Sequence, residues 1–247
     1  MTENELQAPI YLFQMGKVGS VSLQSTLAAQ VNNHIVHAHD YSEMAPADKY
    51  ALESRRRANL PVSVITPVRE PLSRNVSAFF QNFKRDTGFE VADRQWDVDE
   101  VRELFLRRYP HQVCLDWFDC QFRPTFGIDV YAQVFPRQQK WATYQTGSIR
   151  VLVYRCDLGL SEQLAVLSGF LGRKIDRWVL ANRADDKDYA GLYREFTEAA
   201  GFPEAYISRM CGSQYCRHFW SEQEIRATAE KWRTQRVHPQ LQAAAGW

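Results

Sequence analysis

Residues 9–23 read PIYLFQMGKVGSVSL, and the fold turns on them. Ile10-Tyr11-Leu12-Phe13 is a short apolar run with the β-branched and aromatic make-up of a buried strand. Gln14-Met15-Gly16-Lys17-Val18-Gly19-Ser20 follows at once, and Val21-Ser22-Leu23-Gln24-Ser25-Thr26-Leu27 then has helical character. Strand, small-residue turn with a lysine, then helix is the form of a phosphate cradle. Backbone N–H groups at the turn and helix N-terminus point at an anion, and the lysine adds a full charge. Gly16 and Gly19 let the backbone approach a ligand closely and take up positive φ. Ser20 and Ser22 are placed to cap the helix or to donate to phosphate oxygens. The stretch is not a Walker A sequence, because Gly-Lys is followed by Val-Gly-Ser. Taken alone, it is equally a strand–turn–helix corner with a solvated lysine.

The alternation continues outward. Residues 34–39 (HIVHAH) predict a second strand. Residues 46–59 predict a helix with Pro46 near its start and Arg55-Arg56-Arg57 at its C-terminal end, where cations suit the dipole. Residues 62–68 predict a third, central strand, with Pro67 marking a place where pairing should stop. Arg69-Glu70-Pro71 then turns into a helix over 72–85. This order implies a parallel sheet with right-handed crossovers, whose ligands sit at the carboxyl ends of the strands. Residues 16–20, residues 37–39 and Arg69 all fall there, so one cleft is expected to collect them.

Further along, residues 97–109 and 111–122 read as helices and 127–131 as a short extended piece. Residues 140–144 and 150–154 read as strands, the second apolar enough to join the main sheet. The last third reads as helices over 161–171, 189–200, 203–210 and 221–233, the last opened by a capping box of Ser221 and Glu224. Residues 239–247 read as a loosely held tail. With no repeat and no linker, residues 1–247 are expected to form a single α/β domain.

Hydrophobic residues make up 45% of the chain and charged residues 24%, the balance of an ordinary globular protein. A net charge of +1 gives no global basic field, so nucleic acid is not an expected partner and any anion binding must be local. Aromatic residues at 13% allow a sizeable core and a stacking surface for a planar ligand. Cys114, Cys120, Cys156, Cys211 and Cys216 form no C-x-x-C pair and read as reduced thiols, which points to the cytoplasm. No signal peptide is evident, and no run approaches the ~18–20 apolar residues of a membrane span.

The second chemical signal is Arg69-Glu70-Pro71-Leu72-Ser73-Arg74-Asn75-Val76-Ser77-Ala78-Phe79-Phe80. Arg69 sits at a strand end, and Ser77 lies eight residues on, two turns into the next helix. Arg74 and Ser77, spaced i, i+3, are expected on one face. An arginine fork with a serine hydroxyl suits a dianionic phosphate monoester. An ordinary surface helix with an Arg–Glu pair has the same spacing.

MGKVGSVSL followed by VREPLSRNVSAF resembles the sulfotransferase superfamily, which uses 3′-phosphoadenosine 5′-phosphosulfate (PAPS) as sulfuryl donor. The chain is most similar to a bacterial group named for capsular polysaccharide synthesis, through QMGKVGS, REPLSRNVSAFFQN, FGIDVY and SQYCRHFWSEQEI. The resemblance implies a P-loop-like three-layer α/β fold, a central parallel sheet flanked by helices, with a helical C-terminal part. It implies that Lys17, Gly19 and Ser20, with Gly16, Val18, Val21 and Ser22, hold the 5′-phosphosulfate. It implies that Arg69 and Ser77 bind the 3′-phosphate. The loop departs from the family pattern at Val21, where a hydroxyl residue is usual, so the second hydroxyl comes from Ser22 or is absent.

His37-Ala38-His39-Asp40 is the third signal, because residues two apart in a strand face one side. Uronyl 2-O-sulfotransferases carry a similar His-x-His between the two donor motifs, its second histidine acting as base. By that resemblance His39 is the catalytic base, His37 its supporting neighbour, and Lys17 bridges the leaving oxygen. Asp40, Glu43 and Glu70 are the carboxylate substitutes, Glu70 being better placed to orient Arg69 or Arg74. No third ligand accompanies the histidines, so no metal is expected.

Tyr215-Cys216-Arg217-His218-Phe219-Trp220 either closes over the adenine or 3′-phosphate, with Arg217 as the contact, or packs into the core. The cations Arg55, Arg56, Arg57, Lys84, Arg85, Arg107 and Arg108 are solvated faces or a recruiting surface for an acidic glycan. The function these signals imply is sulfuryl transfer to a hydroxyl of a saccharide or related acceptor. The alternatives are a P-loop kinase-like enzyme and a nucleotide-binding protein without turnover. The first lacks its magnesium-binding hydroxyl after the lysine, and the second needs Lys17 but not His39.

Overall fold

The computed structural model describes residues 8–181, 188–199 and 201–233; the predicted tail over 239–247 lies outside them. In chain order the elements begin with β1 (Ile10–Phe13), α1 (Ser20–Ala28), β2 (Ile35–Ala38), α2 (Pro46–Arg57) and β3 (Val62–Val68). Then come α3 (Pro71–Gln81), α4 (Phe83–Thr87), α5 (Val98–Arg108), α6 (Val113–Trp117), a π-helical turn (Phe118–Phe122) and α7 (Arg123–Phe126). The chain continues through β4 (Trp141–Thr146), β5 (Ile149–Arg155) and α8 (Leu160–Leu171). It ends with α9 (Ala190–Glu198), α10 (Glu204–Cys211), α11 (Gln214–Phe219) and α12 (Glu222–Trp232). The described residues fall into two compact units, those within 1–69 and 116–182 and those within 70–115 and 183–247.

The first unit is α/β. Its five strands run in the order β2-β1-β3-β5-β4. The β1–β2, β1–β3 and β3–β5 pairs are parallel, and only the β4–β5 hairpin is antiparallel. Every residue of β1 is buried and β3 is buried except at Ser63, the continuous apolar pattern of strands covered on both faces. On one face Ile10, Leu12, Ile65, Leu152 and Tyr154 pack with Leu23 and Leu27 of α1 and Leu167 and Phe170 of α8. On the other, Phe13 meets Trp117 and Phe126 with ring centroids 5.4 and 5.1 Å apart, and Tyr11 donates to the Asp48 carbonyl of α2.

Pro67 acts on one side of β3 only. Alternate residues of a parallel strand serve alternate neighbours. Val68 faces β5, since its carbonyl accepts from Cys156 N at 2.8 Å, and pairing on that side runs through to Val68↔Arg155. Pro67 therefore faces β1, where the last pair is Leu12↔Ile65. The ladder stops there because proline has no N–H for the Phe13 carbonyl. The hydroxyl of Thr66, itself fully buried, donates to that carbonyl at 2.8 Å instead. So the predicted stop holds towards β1 and fails towards β5.

The described part of the second unit is helical. Phe79 lies 5.3 Å from both Phe83 and Phe105, Phe80 lies 5.2 Å from Phe196, and Phe202 stacks on Trp232. His111 is buried among these rings. Its Nε2–H reaches the Phe105 carbonyl at 3.0 Å, and its Nδ1 accepts from Tyr206 Oη at 2.9 Å. Burial pulls its pKa down to about 4, so this is a neutral core histidine.

Several local expectations are corrected. The helix predicted over 72–85 breaks at Asn82, whose φ of −110° ends α3 and opens α4. In the predicted extended piece, Val130–Ala132 is a 3₁₀ turn, because the Asp129 carboxylate accepts from Tyr131 N at 2.9 Å and bends the chain. Arg74 and Ser77 both lie on α3 at i, i+3, but Arg74 is buried, with Nη1 2.6 Å from Tyr109 Oη and 3.1 Å from Asn75 Oδ1. Glu70, read from the sequence as orienting Arg69 or Arg74, caps α3, accepting from Leu72 N at 2.8 Å and Ser73 N at 2.7 Å.

Residues 215–220 resolve into α11 and its C-cap, with Tyr215, Cys216, Phe219 and Trp220 buried. The predicted capping box of Ser221 and Glu224 is present, and the five cysteines form no disulfide. Among the described residues, no helix is long and apolar enough to cross a membrane.

Thr66→Val keeps the side-chain volume but leaves the Phe13 carbonyl without its hydroxyl donor. The expected cost is about 1–3 kcal/mol, read as a lower urea midpoint with an unchanged m-value.

Candidate functional site

β1 ends at Phe13, but the backbone stays tied to β2 for one more residue, since Gln14 N donates to the Ala38 carbonyl at 3.2 Å. Then the chain turns sharply. Gly16, Lys17 and Gly19 have φ of 80°, 64° and 77°. Two of the three left-handed residues are glycines, for which this conformation carries no steric penalty. Lys17 has a Cβ, and the same conformation costs it roughly 1–2 kcal/mol. Arg69, at the end of β3, holds it there by donating from Nη1 to the Lys17 carbonyl at 3.1 Å.

Gly19 is the N-cap of α1, and no side chain caps that helix end. The first-turn N–H groups of a helix have no intrahelical acceptor, and the dipole makes this end positive. α1 has no acidic residue in its first turn to offset that charge. The loop therefore presents N–H donors and a half-buried lysine at the carboxyl end of a central strand, a geometry suited to a phosphate or sulfate group.

The flanking hydroxyls divide between two tasks. Ser20 is buried, with Oγ 3.0 Å from His37 Nε2. Ser22 is engaged with the backbone of Ala181, donating to its carbonyl at 3.0 Å and accepting from its N–H at 3.1 Å. Thr26 accepts from Val179 N at 2.8 Å, and Gln30 Oε1 accepts from Asp176 N at 3.0 Å and Arg177 N at 3.1 Å. Side chains four residues apart along α1 and just beyond it thus hold an extended strap. Val18 is buried, and the Val21 side chain is exposed where a hydroxyl was expected.

His37 lies on β2 and His39 just past its end, with ring centroids 5.6 Å apart and nearly perpendicular. His37 is half-buried and His39 exposed. Burial, then the neighbouring His39, lowers the pKa of His37, and Glu43 opposes them. The Glu43 carboxylate accepts from His39 N at 2.8 Å, and Trp117 Nε1 donates to the His39 carbonyl at 2.7 Å. The Asp40 carboxylate, bonded to the Ser42 hydroxyl and to Glu43 N, is held below its usual pKa range chiefly by the Ser42 bond.

The predicted residues of the first unit thus meet at the ends of three adjacent strands: the 16–20 loop after β1, the histidines at β2, and Arg69 after β3. Ser77, half-buried on α3, and Arg217, exposed on α11, belong to the second unit. Among the described residues no group of three or more His, Cys, Asp or Glu side chains is placed to hold a metal.

Gln14 was missed by sequence reasoning. It is fully buried, and its side chain reaches Gly16 N, His37 and His39. The only sequence signal is a polar residue directly after four apolar strand residues. The buried Arg155 at the end of β5 was missed too; it forks onto Asp157 with Nε–Oδ1 2.9 Å and Nη2–Oδ2 2.6 Å. Burial pushes the Asp157 carboxyl up, but this fork and Lys140 outweigh it and hold the pKa below its usual value. No family model, no curated protein and no solved structure matches the chain.

Lys17→Gly removes the left-handed penalty, and Lys17→Ala keeps it. The glycine variant is expected to be the more stable of the two by up to about 1 kcal/mol, after its own entropy cost, in paired denaturant titrations.

Proposed function

We propose that the protein is a sulfotransferase that moves a sulfuryl group from PAPS to a hydroxyl of a saccharide or related acceptor. One observation carries the reading. An uncapped, left-handed Gly16–Lys17–Gly19 loop, a histidine pair and an arginine stand at the carboxyl ends of three neighbouring parallel strands. The two donor motifs and the His-x-His of the sequence supply the identity of the ligand. The P-loop-like character of the fold and a role in capsular or other polysaccharide synthesis belong to the same proposal.

In this reading the loop N–H groups and Lys17 hold the 5′-phosphosulfate, and Arg69 and Ser77 take the 3′-phosphate. Ser77 enters from the sequence resemblance alone. The acceptor oxygen attacks sulfur in line as the bond from sulfur to the 5′-phosphate oxygen breaks. The hydroxyl proton passes to His39, and the products are a sulfate ester and adenosine 3′,5′-bisphosphate. The protein's work is positioning and charge stabilisation, with Lys17 on the leaving oxygen. A neutral imidazole, with a reference pKa near ~6.5, is matched to taking a proton near neutral pH. The exposure of His39 beside half-buried His37 favours it as the ring that meets the acceptor.

Adenosine 3′,5′-bisphosphate at ~100 times its Kd is expected to stabilise the protein by about 2.7 kcal/mol in thermal unfolding, and ATP with Mg²⁺ to do less. Stabilisation by ATP and not by the bisphosphate would replace this reading with a kinase-like one. His39→Ala should bind the bisphosphate as the parent does and lose transfer of labelled sulfate by 10²-fold or more. Undiminished transfer would move the base to a carboxylate.

A further inference from the structure

We propose that Gln14 is a positioning residue that sets the protonation and tautomer of the histidine pair and couples that pair to the anion-binding loop. The proposal rests on the histidine pair being the proton acceptor of the site; its first readout does not.

Gln14 is the first residue after β1, and its carboxamide is fully buried. Three polar neighbours account for that group. Oε1 accepts from Gly16 N at 2.5 Å. Nε2 lies 2.9 Å from His37 Nε2 and 2.8 Å from His39 Nδ1. The Gly16 N–H fixes which way round the amide sits, since the flipped amide would set two donors against each other. The amide nitrogen therefore faces both rings, and it has one hydrogen for each. Each ring nitrogen that receives such a hydrogen must carry a lone pair, which favours neutral rings.

The main-chain carbonyl of the same residue lies 3.0 Å from His39 Nδ1. His39 thus has a donor and an acceptor from Gln14 at one nitrogen. With Nδ1 as acceptor, the proton of the neutral ring sits on Nε2. With Nδ1–H donating to the carbonyl, Nε2 carries the lone pair that a base needs. The carbonyl likewise receives Nδ1–H when the ring takes up a proton. Gln14 can follow His39 through that cycle without moving its backbone, which remains tied to β2 through Ala38.

The link to the loop is the Gly16 N–H. One carboxamide is bonded at its oxygen to the left-handed loop and at its nitrogen to both histidines. Ser20, the first residue of α1, closes the circuit through His37 Nε2. Among the described residues, the titratable groups facing the pair include Glu43 and Asp40 on the turn after β2, and Trp117 gives its indole N–H to the His39 carbonyl.

The test compares Gln14→Glu and Gln14→Met with the parent chain by nitrogen-15 NMR of the imidazole rings. A carboxylate at position 14 still accepts from Gly16 N–H but turns both ring nitrogens into donors. It is expected to raise the His37 midpoint by one unit or more and to move the His39 Nδ1 signal into the N–H range. Methionine, close in shape and without polar hydrogens, should raise the His37 midpoint by a smaller amount. If neither variant shifts the His37 midpoint upward, the proposal is overturned.

Sulfate transfer supplies the second readout. Gln14→Glu should shift the acid limb of kcat to higher pH, with KM for PAPS changed less than threefold. A fall in kcat that is uniform across pH would also overturn the proposal, because a merely structural role gives that result. If the parent shows no transfer but the NMR shifts occur, the sulfotransferase reading fails and the assignment of Gln14 to the histidine pair stands.

Discussion

Pro67 has no N–H to give to the carbonyl of Phe13, and the geometry of the site follows from that gap. Up to Leu12↔Ile65 the two central strands are locked together by their ladder. One residue later the ladder ends on that side, and a buried threonine hydroxyl supplies the donor. Past that bond the backbone stays tied to β2, through Gln14 N and the Ala38 carbonyl, so the chain can leave β3 and turn into the left-handed loop. β3 meanwhile stays paired with β5 through Val68, which fixes the point from which Arg69 reaches back to the Lys17 carbonyl. A missing donor frees one edge of one strand, and a neighbouring side chain removes the desolvation penalty that would otherwise attend it.

The loop and the histidines are one polar assembly. Its members come from separate elements: Gln14 and Gly16 after β1, Ser20 from α1, His37 from β2 and His39 beyond it. Buried polar groups of this kind are tolerated only when their partners are in place. That constraint explains why a glutamine stands where the apolar run ends. An apolar side chain would leave Gly16 N and two ring nitrogens without their amide partner, whereas the amide serves all three at once.

Much of the sheet was legible because its strands carry the apolar signature of burial on both faces. Residues 10–13 and 62–68 are strands over the same span as the runs that predict them. The placement of the loop, the His-x-His and Arg69 at strand ends followed from the alternation of elements, since connectivity in a parallel sheet dictates which end each loop occupies. Partners were not legible. Arg74 and Ser77 have the right spacing for a shared face, but spacing does not reveal that Tyr109 and Asn75 draw the guanidinium inward. Glu70 beside two arginines suggests an ion pair, and only the geometry of Pro71 at the first helical position shows it as a cap. Tyr215–Trp220 mixes charge with aromatics, and only packing shows its rings turned inside. Gln14 was invisible because a single glutamine carries no periodicity and no motif.

The strap along α1 has a consequence for how this part of the chain can diverge. Ser22, Thr26 and Gln30 hold residues 176, 177, 179 and 181 entirely through the backbone of those residues. Side-chain identity on the strap is irrelevant to these bonds, while three polar positions along α1 and just beyond it are fixed by them. The hydroxyl at position 22 is thereby part of a clasp. Sequence drift at residues 176, 177, 179 and 181 and constancy at 22, 26 and 30 would leave the same hydrogen bonds, so the two partners of one contact carry unequal evolutionary weight.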